Sequence, residues 1–278
     1  MSAAALRLRR GSFPYLIAVP FAIVLAFPFV WMGVTSLKTN AIVNDPTHTW
    51  RFHPTLWSYG HLLHHTQYLH WVKNTTLVGL AVVGITLVLA LPAGYALARL
   101  SGRFGQAMGV GIFLTYLVPP TLLFLPLSRM ISTIHLAGSL WSLVLVYPSF
   151  TVPFAIWLLM GFFKTIPLEL EDAALVDGCS RLGALARIVF PISLPGILTI
   201  VIFTFSLVVN EFLYAITFIS SSSSRTLSVA VPTELIRGDL YDWPTIMAAI
   251  LIPSIPLALV YNLFLNRFIT GFTGGAFR

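Results

Sequence analysis

Charge is what this 278-residue sequence has least of: 9% of its residues are charged and 57% are hydrophobic, with a mean hydropathy of +0.89. A soluble chain buries its core beneath a polar surface, and there is too little polar sequence here to make one. Cysteine is nearly absent. The lone Cys179 excludes an internal disulfide and any multi-cysteine metal centre, and leaves the redox compartment unread. No Gly-x-x-x-x-Gly-Lys-Ser/Thr occurs, so the phosphate-cradling loop of a P-loop ATPase is missing. No Ser, His and Asp set falls on one membrane face and no zinc-protease motif is present, which argues against an intramembrane hydrolase or acyltransferase. The short alternating segments of a membrane barrel are missing too.

What is there is a succession of long apolar runs, each roughly 20 residues, the length a helix needs to cross a bilayer. They lie near Tyr15–Leu37, Leu77–Leu97, Met108–Leu127, Leu140–Phe162, Leu194–Ile219 and Pro244–Leu265. This is the pattern of an all-α membrane protein with six transmembrane helices, a single transmembrane domain over 1–278 with a polar loop at 163–193 and a tail at 266–278. Arg7, Arg9 and Arg10 before the first run resemble a signal peptide, but the run continues to Leu37 without an Ala-x-Ala-like site and is read as a retained helix. Prolines interrupt or edge several runs, Pro92, Pro119, Pro120, Pro148 and Pro153 among them. Such breaks are tolerated in membranes where neighbours or water satisfy the freed carbonyls. The net charge of +7 and pI near 9.9 come from basic residues scattered at the ends of the runs, which fits lipid topology and not nucleic acid. With both termini cytoplasmic, the arginines before the first run and the Arg99–Arg103 loop fall inside, as the positive-inside rule requires. No internal repeat is found, and Ser220–Ser224 reads as a flexible outer linker.

The polar loop concentrates the acidic residues. Glu169, Glu171, Asp172 and Asp177 lie within it, out of nine Asp and Glu in the chain. Pro167 can open a helix, and carboxylates in its first turns suit the positive end of the helix dipole. Ala173 and Ala174 keep one side low, Gly178 suits a left-handed residue past the helix end, and Ser180 can cap a second helix with Leu182, Leu185, Ala186 and Val189 on one face. Two readings fit this spacing: a solvated connector with an interfacial helix, or a docking element. His61, His64, His65 and His70, interleaved with Trp57, Tyr59, Tyr68 and Trp71, read as an aromatic interfacial helix and not as a metal site. Glu211 is the one carboxylate inside an expected membrane helix. A charge there is costly unless it meets water or a partner. With Asn210 and Tyr214 it forms a stripe that either lines a translocation path or bonds neighbouring helices.

The loop sequence Asp172-Ala173-Ala174-Leu175-Val176-Asp177-Gly178, closed by Phe190-Pro191-Ile192-Ser193-Leu194-Pro195, resembles the cytoplasmic Glu-Ala-Ala loop of ABC importer permeases, with Asp172 for the usual Glu and Cys179 for the usual Ala. The resemblance extends along the chain. Ser36-Leu37-Lys38 ends the first helix, Asn74-Thr-Thr stands before the second, and Ala93-Gly-Tyr-Ala-Leu-Ala-Arg99 ends it, as in the maltose-type subunits. Asn210-Glu211-Phe212-Leu213 and the glycine tail Gly271, Gly274, Gly275 follow in the family's order. The resemblance implies a six-helix permease subunit of a bacterial or archaeal inner membrane, forming half of a path for a sugar. It implies partners as well: a second permease subunit, two cytoplasmic ATPase subunits that carry ATP and magnesium, and an extracytoplasmic solute-binding protein. This chain would be no enzyme and bind no cofactor. Glu169, Glu171, Asp172, Ala173, Ala174, Asp177 and Gly178 would then meet the ATPase, and the extended glycine tail would lie between the two ATPases; a frayed terminus is the other reading of that tail. Another polar solute, such as a phosphorylated polyol, fits the same pattern. A self-contained channel or secondary carrier would have only Glu211 to couple with.

Overall fold

The structure, a computed structural model, describes residues 3–43, 51–100, 102–238 and 240–276. It is almost wholly helical. The described chain runs α1 (Ala3–Ser36), α2 (Asn40–Val43), α3 (Trp57–His65), α4 (Tyr68–Tyr95), a π-helical turn (Ala96–Leu100), α5 (Gly102–Tyr116) and α6 (Pro120–Thr133). It continues through α7 (Leu140–Val146), α8 (Pro148–Thr165), α9 (Leu168–Val176), α10 (Arg181–Ala184), a second π turn (Leu185–Val189) and α11 (Phe190–Ile192). The last part is α12 (Leu194–Asn210), α13 (Leu213–Phe218), α14 (Leu227–Glu234), a hairpin of β1 (Ile236–Arg237) and β2 (Leu240–Tyr241), and α15 (Trp243–Ala276).

Among the described residues, Ala18–Ser36, Tyr68–Arg99, Leu140–Thr165 and Trp243–Phe264 are long and apolar enough to cross a membrane. The expected third and fifth spans are not single rods. Residues Gly102–Tyr116 and Pro120–Thr133 meet at 86°, because Pro119 and Pro120 follow the end of α5 at Tyr116 and Pro cannot continue the preceding hydrogen-bond ladder. Arg181–Ile192 and Leu194–Asn210 meet at 73°. Six spans result if each bent pair crosses once. Helix α4 also starts about two and a half turns earlier than expected, at Tyr68 and not Leu77, so Asn74 and Thr75 lie inside it and do not precede it. The tail is helical to Ala276, which corrects the extended backbone expected of Gly271, Gly274 and Gly275; Phe277 and Arg278 lie outside the described residues.

The chain divides into two compact units, one of Met1–Thr66 with Leu235–Ile255 and one of Gln67–Glu234 with Pro256–Arg278. In the first, the end of α1 is fixed by a hydrogen bond between the Ser36 hydroxyl and Tyr59 (2.8 Å), and Lys38 is buried with its ammonium over the rings of Trp31 (5.5 Å) and Phe52 (4.9 Å). On α3, His61 stacks between Trp57 and His65, with ring centroids 4.8 and 5.3 Å away. Asp242 caps α15 by accepting the Thr245 N–H and hydroxyl. From Tyr15 to Val30 the visible side chains of α1 are exposed and apolar on every side, as hydrocarbon allows and water does not.

The second unit holds the packed core. Helix α4 lies along α8 and α12, and α5 along α8. Where α4 crosses α8, Gly94 lets the backbones approach, since a Cβ there would stand 2.9 Å from the Leu159 Cβ. Thr86 and Thr151 hydroxyls join the same two helices deep inside, 2.7 Å apart. The N-terminal end of α4 is tied down by side chains expected at an interface. Tyr68 and Trp71 are buried, the Trp71 indole N–H donates to Ser222 O (2.9 Å), and the Asn74 amide donates to Ser223 O and Arg225 O. The serine run is therefore a tethered turn and not a free linker. We predict that Gly94→Ala lowers the thermal midpoint of the purified protein, with overpacking costing about 1–3 kcal/mol. Gly84→Ala, where nothing stands within 4 Å, should be neutral or stabilising. Equal midpoints for the two variants would show that the α4–α8 contact is not tight.

Candidate functional site: an outward loop and an inward cleft

The acidic loop forms the helix, elbow and second helix that its spacing implies. Pro167 precedes α9 with an extended backbone, and Glu169 and Glu171 fall in the first turn. The helix ends in a Schellman arrangement: Gly178 N–H donates to Leu175 O (3.1 Å) and Cys179 N–H to Ala174 O (2.9 Å). That geometry requires a left-handed residue, and Gly178 supplies it at φ 85°. Ser180 then accepts the Gly183 N–H (3.1 Å) and caps α10.

Orientation within the loop differs from expectation in two places. Glu171 faces the bundle, not the outside. Its carboxylate forms an ion pair with the Arg99 Nε (2.8 Å), both side chains being 8% exposed, and accepts the Tyr95 hydroxyl (2.7 Å). Arg99 also donates to the Ile166 carbonyl at the end of α8 (2.6 Å). In the second helix the buried face is Ala184, Leu185 and Val189, while Leu182 and Ala186 are exposed. A π turn over Leu185–Val189 rotates the face relative to the regular helix that the expectation assumed. The outward side carries Glu169, Asp172, Ala173, Asp177 and Gly178, set among exposed apolar groups such as Val176 (87% exposed) and Leu182 (77%). Ala174 packs inward.

The second candidate set straddles a break. Helix α12 stops at Asn210 and α13 begins at Leu213, so Asn210, Glu211 and Tyr214 do not share one helical stripe. Glu211 instead serves the break. Its carboxylate accepts the Tyr147 hydroxyl (2.6 Å) and the N–H groups of Tyr214 (3.0 Å) and Ala215 (3.1 Å), which open α13. Its own carbonyl accepts the Ser228 hydroxyl from α14 (2.5 Å). Tyr214 is fully buried and gives its hydroxyl to Pro120 O (2.6 Å), across the α5–α6 bend. Of the three, Asn210 is the exposed one, its amide donating to Ser206 O. All three nevertheless line one open cleft of about 610 Å³, together with Tyr116, Thr121, Ser149 and Phe150. The Pro119-Pro120 pair was the sequence signal for this cleft. Tyr116, Thr121 and Ser149 carried none.

Removing the Glu211 carboxylate should orphan three donors. Glu211→Ala is expected to lower stability by about 2 kcal/mol or more, whereas Glu211→Gln keeps one acceptor and should lose less. Thermal melting of the purified protein reads both. Equal midpoints for the wild type and Glu211→Ala would remove the capping role.

Comparison with known proteins places this geometry. Residues 90–273 match the family described as binding-protein-dependent transport system inner membrane component. The chain is 34% identical over 255 residues to the sulfoquinovosyl glycerol transport system permease protein of Agrobacterium fabrum, covering 91% of this chain and 88% of that protein. It is 28% identical over 271 residues to the trehalose/maltose transport system permease protein of Thermococcus litoralis, covering 94% of each. In fold it is similar to a chain from the crystal structure of a bacterial ABC transporter involved in the import of the acidic polysaccharide alginate, with a TM-score of 0.80, 19% identity, and coverage of 96% of this chain and 99% of that one. The chain belongs to the binding-protein-dependent transport system inner membrane component family, and its fold is that of an ABC importer permease.

Proposed function

We propose that this member of the family is one permease subunit of an ATP-driven importer, forming half of the path for a sugar. Its partners are a second permease, two cytoplasmic ATPases that hold ATP and magnesium, and an extracytoplasmic binding protein that delivers the solute. The observation that carries the coupling part of this reading is where the acidic side chains go. Asp45 and Asp239 lie outside the described residues. Of the remaining seven of the nine, Glu171, Glu211, Glu234 and Asp242 are bonded within the chain. Glu169, Asp172 and Asp177 are the other three, and all stand exposed on α9 and its elbow, next to exposed leucine and valine. A mixed acidic and apolar face at the end of a membrane bundle is chemistry for a protein partner, since a lipid-facing surface would carry no such acids.

The solute part rests on the cleft and on the relatives, whose names refer to sulfoquinovosyl glycerol and to trehalose and maltose. Tyrosine and phenylalanine rings beside Asn210, Ser149 and Thr121 suit sugar faces and hydroxyls. Among the described residues the lining carries Glu211 and no Lys, Arg or His, which leaves a phosphate without a counter-ion and favours a sugar over a phosphorylated polyol. Glu211 already accepts three donors, which weighs against its serving as the coupling carboxylate of a self-contained carrier. In this reading ATP binding closes the ATPases, α9 follows them, and the bundle opens toward the loaded binding protein. The loop and both termini are cytoplasmic, and the helical tail bearing Gly271, Gly274 and Gly275 reaches toward the ATPases.

Two measurements test this. Cys179, the sole cysteine and partly exposed at the elbow, should react with a membrane-impermeant maleimide in inside-out vesicles and be spared in intact spheroplasts. Labelling from outside would overturn the orientation. In proteoliposomes holding the complex co-purified with its partners, Asp172→Lys should insert normally yet lose ATPase association and uptake of radiolabelled maltose or trehalose. Wild-type uptake by that variant would remove α9 as the docking element.

A further inference from the structure

We propose that Tyr95, Arg99 and Glu171 form an internal joint that carries the movement of α9 into α4 and α8, so that Glu171 acts as a positioning residue inside this chain and not as a contact to the ATPase. The inference rests on α9 being the coupling helix.

Three elements meet at this point. Tyr95 ends α4, Arg99 stands one turn later in the π-helical segment, and Glu171 is on the inner face of α9. The two oxygens of Glu171 are divided between them, one to the Tyr95 hydroxyl and one to the Arg99 guanidinium. A second guanidinium nitrogen holds the Ile166 carbonyl, where α8 ends and the chain turns into α9. A single arginine therefore grips both the end of α8 and the start of α9, with its charge at a helix C-terminus where cations are favoured. All of this is nearly dry. The two hydrogen bonds, from Tyr95 to Glu171 and from Arg99 to Ile166 O, are directional, and the close Arg99–Glu171 ion pair between them has no solvent to replace it, so displacing α9 strains these contacts or drags α4 and α8 along.

What surrounds the joint says where a displacement goes. On one side, α4 and α8 are locked together by the Gly94 crossing and by Tyr95 against Phe163, their rings 6.0 Å apart. On the other, α9 presents most of its remaining side chains to solvent and sends only Ala174 fully inward. A small cavity of about 80 Å³ lies against the joint, lined also by Asp172, Leu175 and Arg181, and gives α9 room to shift. The π turn at Arg99 follows Pro92, whose missing N–H loosens the ladder at that end of α4. The joint thus sits between a stiff pair of helices and a lightly held one, which is where a mechanical connection has an effect.

The test separates coupling from docking and from folding. In proteoliposomes holding the assembled complex, uptake of radiolabelled maltose or trehalose and ATP hydrolysis stimulated by the loaded binding protein are measured together. Tyr95→Phe keeps the ring on Phe163 and removes one bond; Glu171→Gln keeps the shape and removes the charge. Both should assemble and hydrolyse ATP, while solute moved per ATP falls by about fivefold or more, the scale of a broken coupling. An unchanged ratio in both variants overturns the proposal. So does loss of ATPase association in Glu171→Gln, which would make Glu171 a docking contact. Should the wild-type complex show neither ATP-dependent uptake of any sugar that its binding protein takes up nor hydrolysis stimulated by that loaded protein, the importer reading itself falls, independently of the joint.

Discussion

Backbone N–H and C=O groups freed at a helix break find no water in hydrocarbon, and among the described residues several breaks are each closed by a side chain placed for it. Glu211 supplies acceptors for the N–H groups that open α13. Arg99 supplies a donor to the carbonyl that closes α8. Asn74 and Trp71 donate to the carbonyls of the serine turn, and the Thr75 hydroxyl accepts the Leu227 N–H that starts α14.

The breaks are also where the cavity is. The bend between α5 and α6 and the gap between α12 and α13 face each other, joined by the Tyr214 hydroxyl on Pro120 O. Irregular backbone at membrane depth is sustainable only where it is buried in protein or lines a water-filled space, and here it does both. Substrate-sized room and structural capping are thus two results of the same interruptions. That is why Glu211 can border the cleft while its carboxylate is committed to Tyr147 and the start of α13.

The all-helical membrane class and the helix–elbow–helix shape of the loop were legible because their signals are local. Long apolar runs mark spans whatever their neighbours do, and Pro167, Gly178 and Ser180 each act within a few residues through a missing N–H, a permitted positive φ and a capping hydroxyl. Direction was not legible where a distant residue sets it. Glu171 and Asp172 are adjacent acids in one helix, and only Tyr95 and Arg99, far back in the chain, turn the first inward. Likewise Trp71 reads as an interface residue, and Asn74 as standing before its helix, until the serine turn, about 150 residues later, folds onto them. The Glu211 stripe failed for a different reason. Helical spacing was extended through a point where the chain leaves the helix, and Asn210-Glu211-Phe212 contains no proline or glycine to announce it.

A buried ion pair is poor evidence for stability, because removing two charges from water offsets most of their attraction, and well-packed apolar side chains in the Arg99–Glu171 site could hold α9 about as firmly. Firmness is therefore not what the pair adds. An apolar contact between α9 and the bundle tolerates sliding, since dispersion and burial change little over a small displacement. A guanidinium shared between Ile166 O and Glu171, with a phenol on the remaining oxygen, tolerates almost none, because every shift leaves a buried charge or carbonyl without its partner. The network trades little in net stability for a defined register between the helix that faces outward and the two that form the core. A subunit that converts a partner's motion into its own needs that register more than it needs another increment of stability.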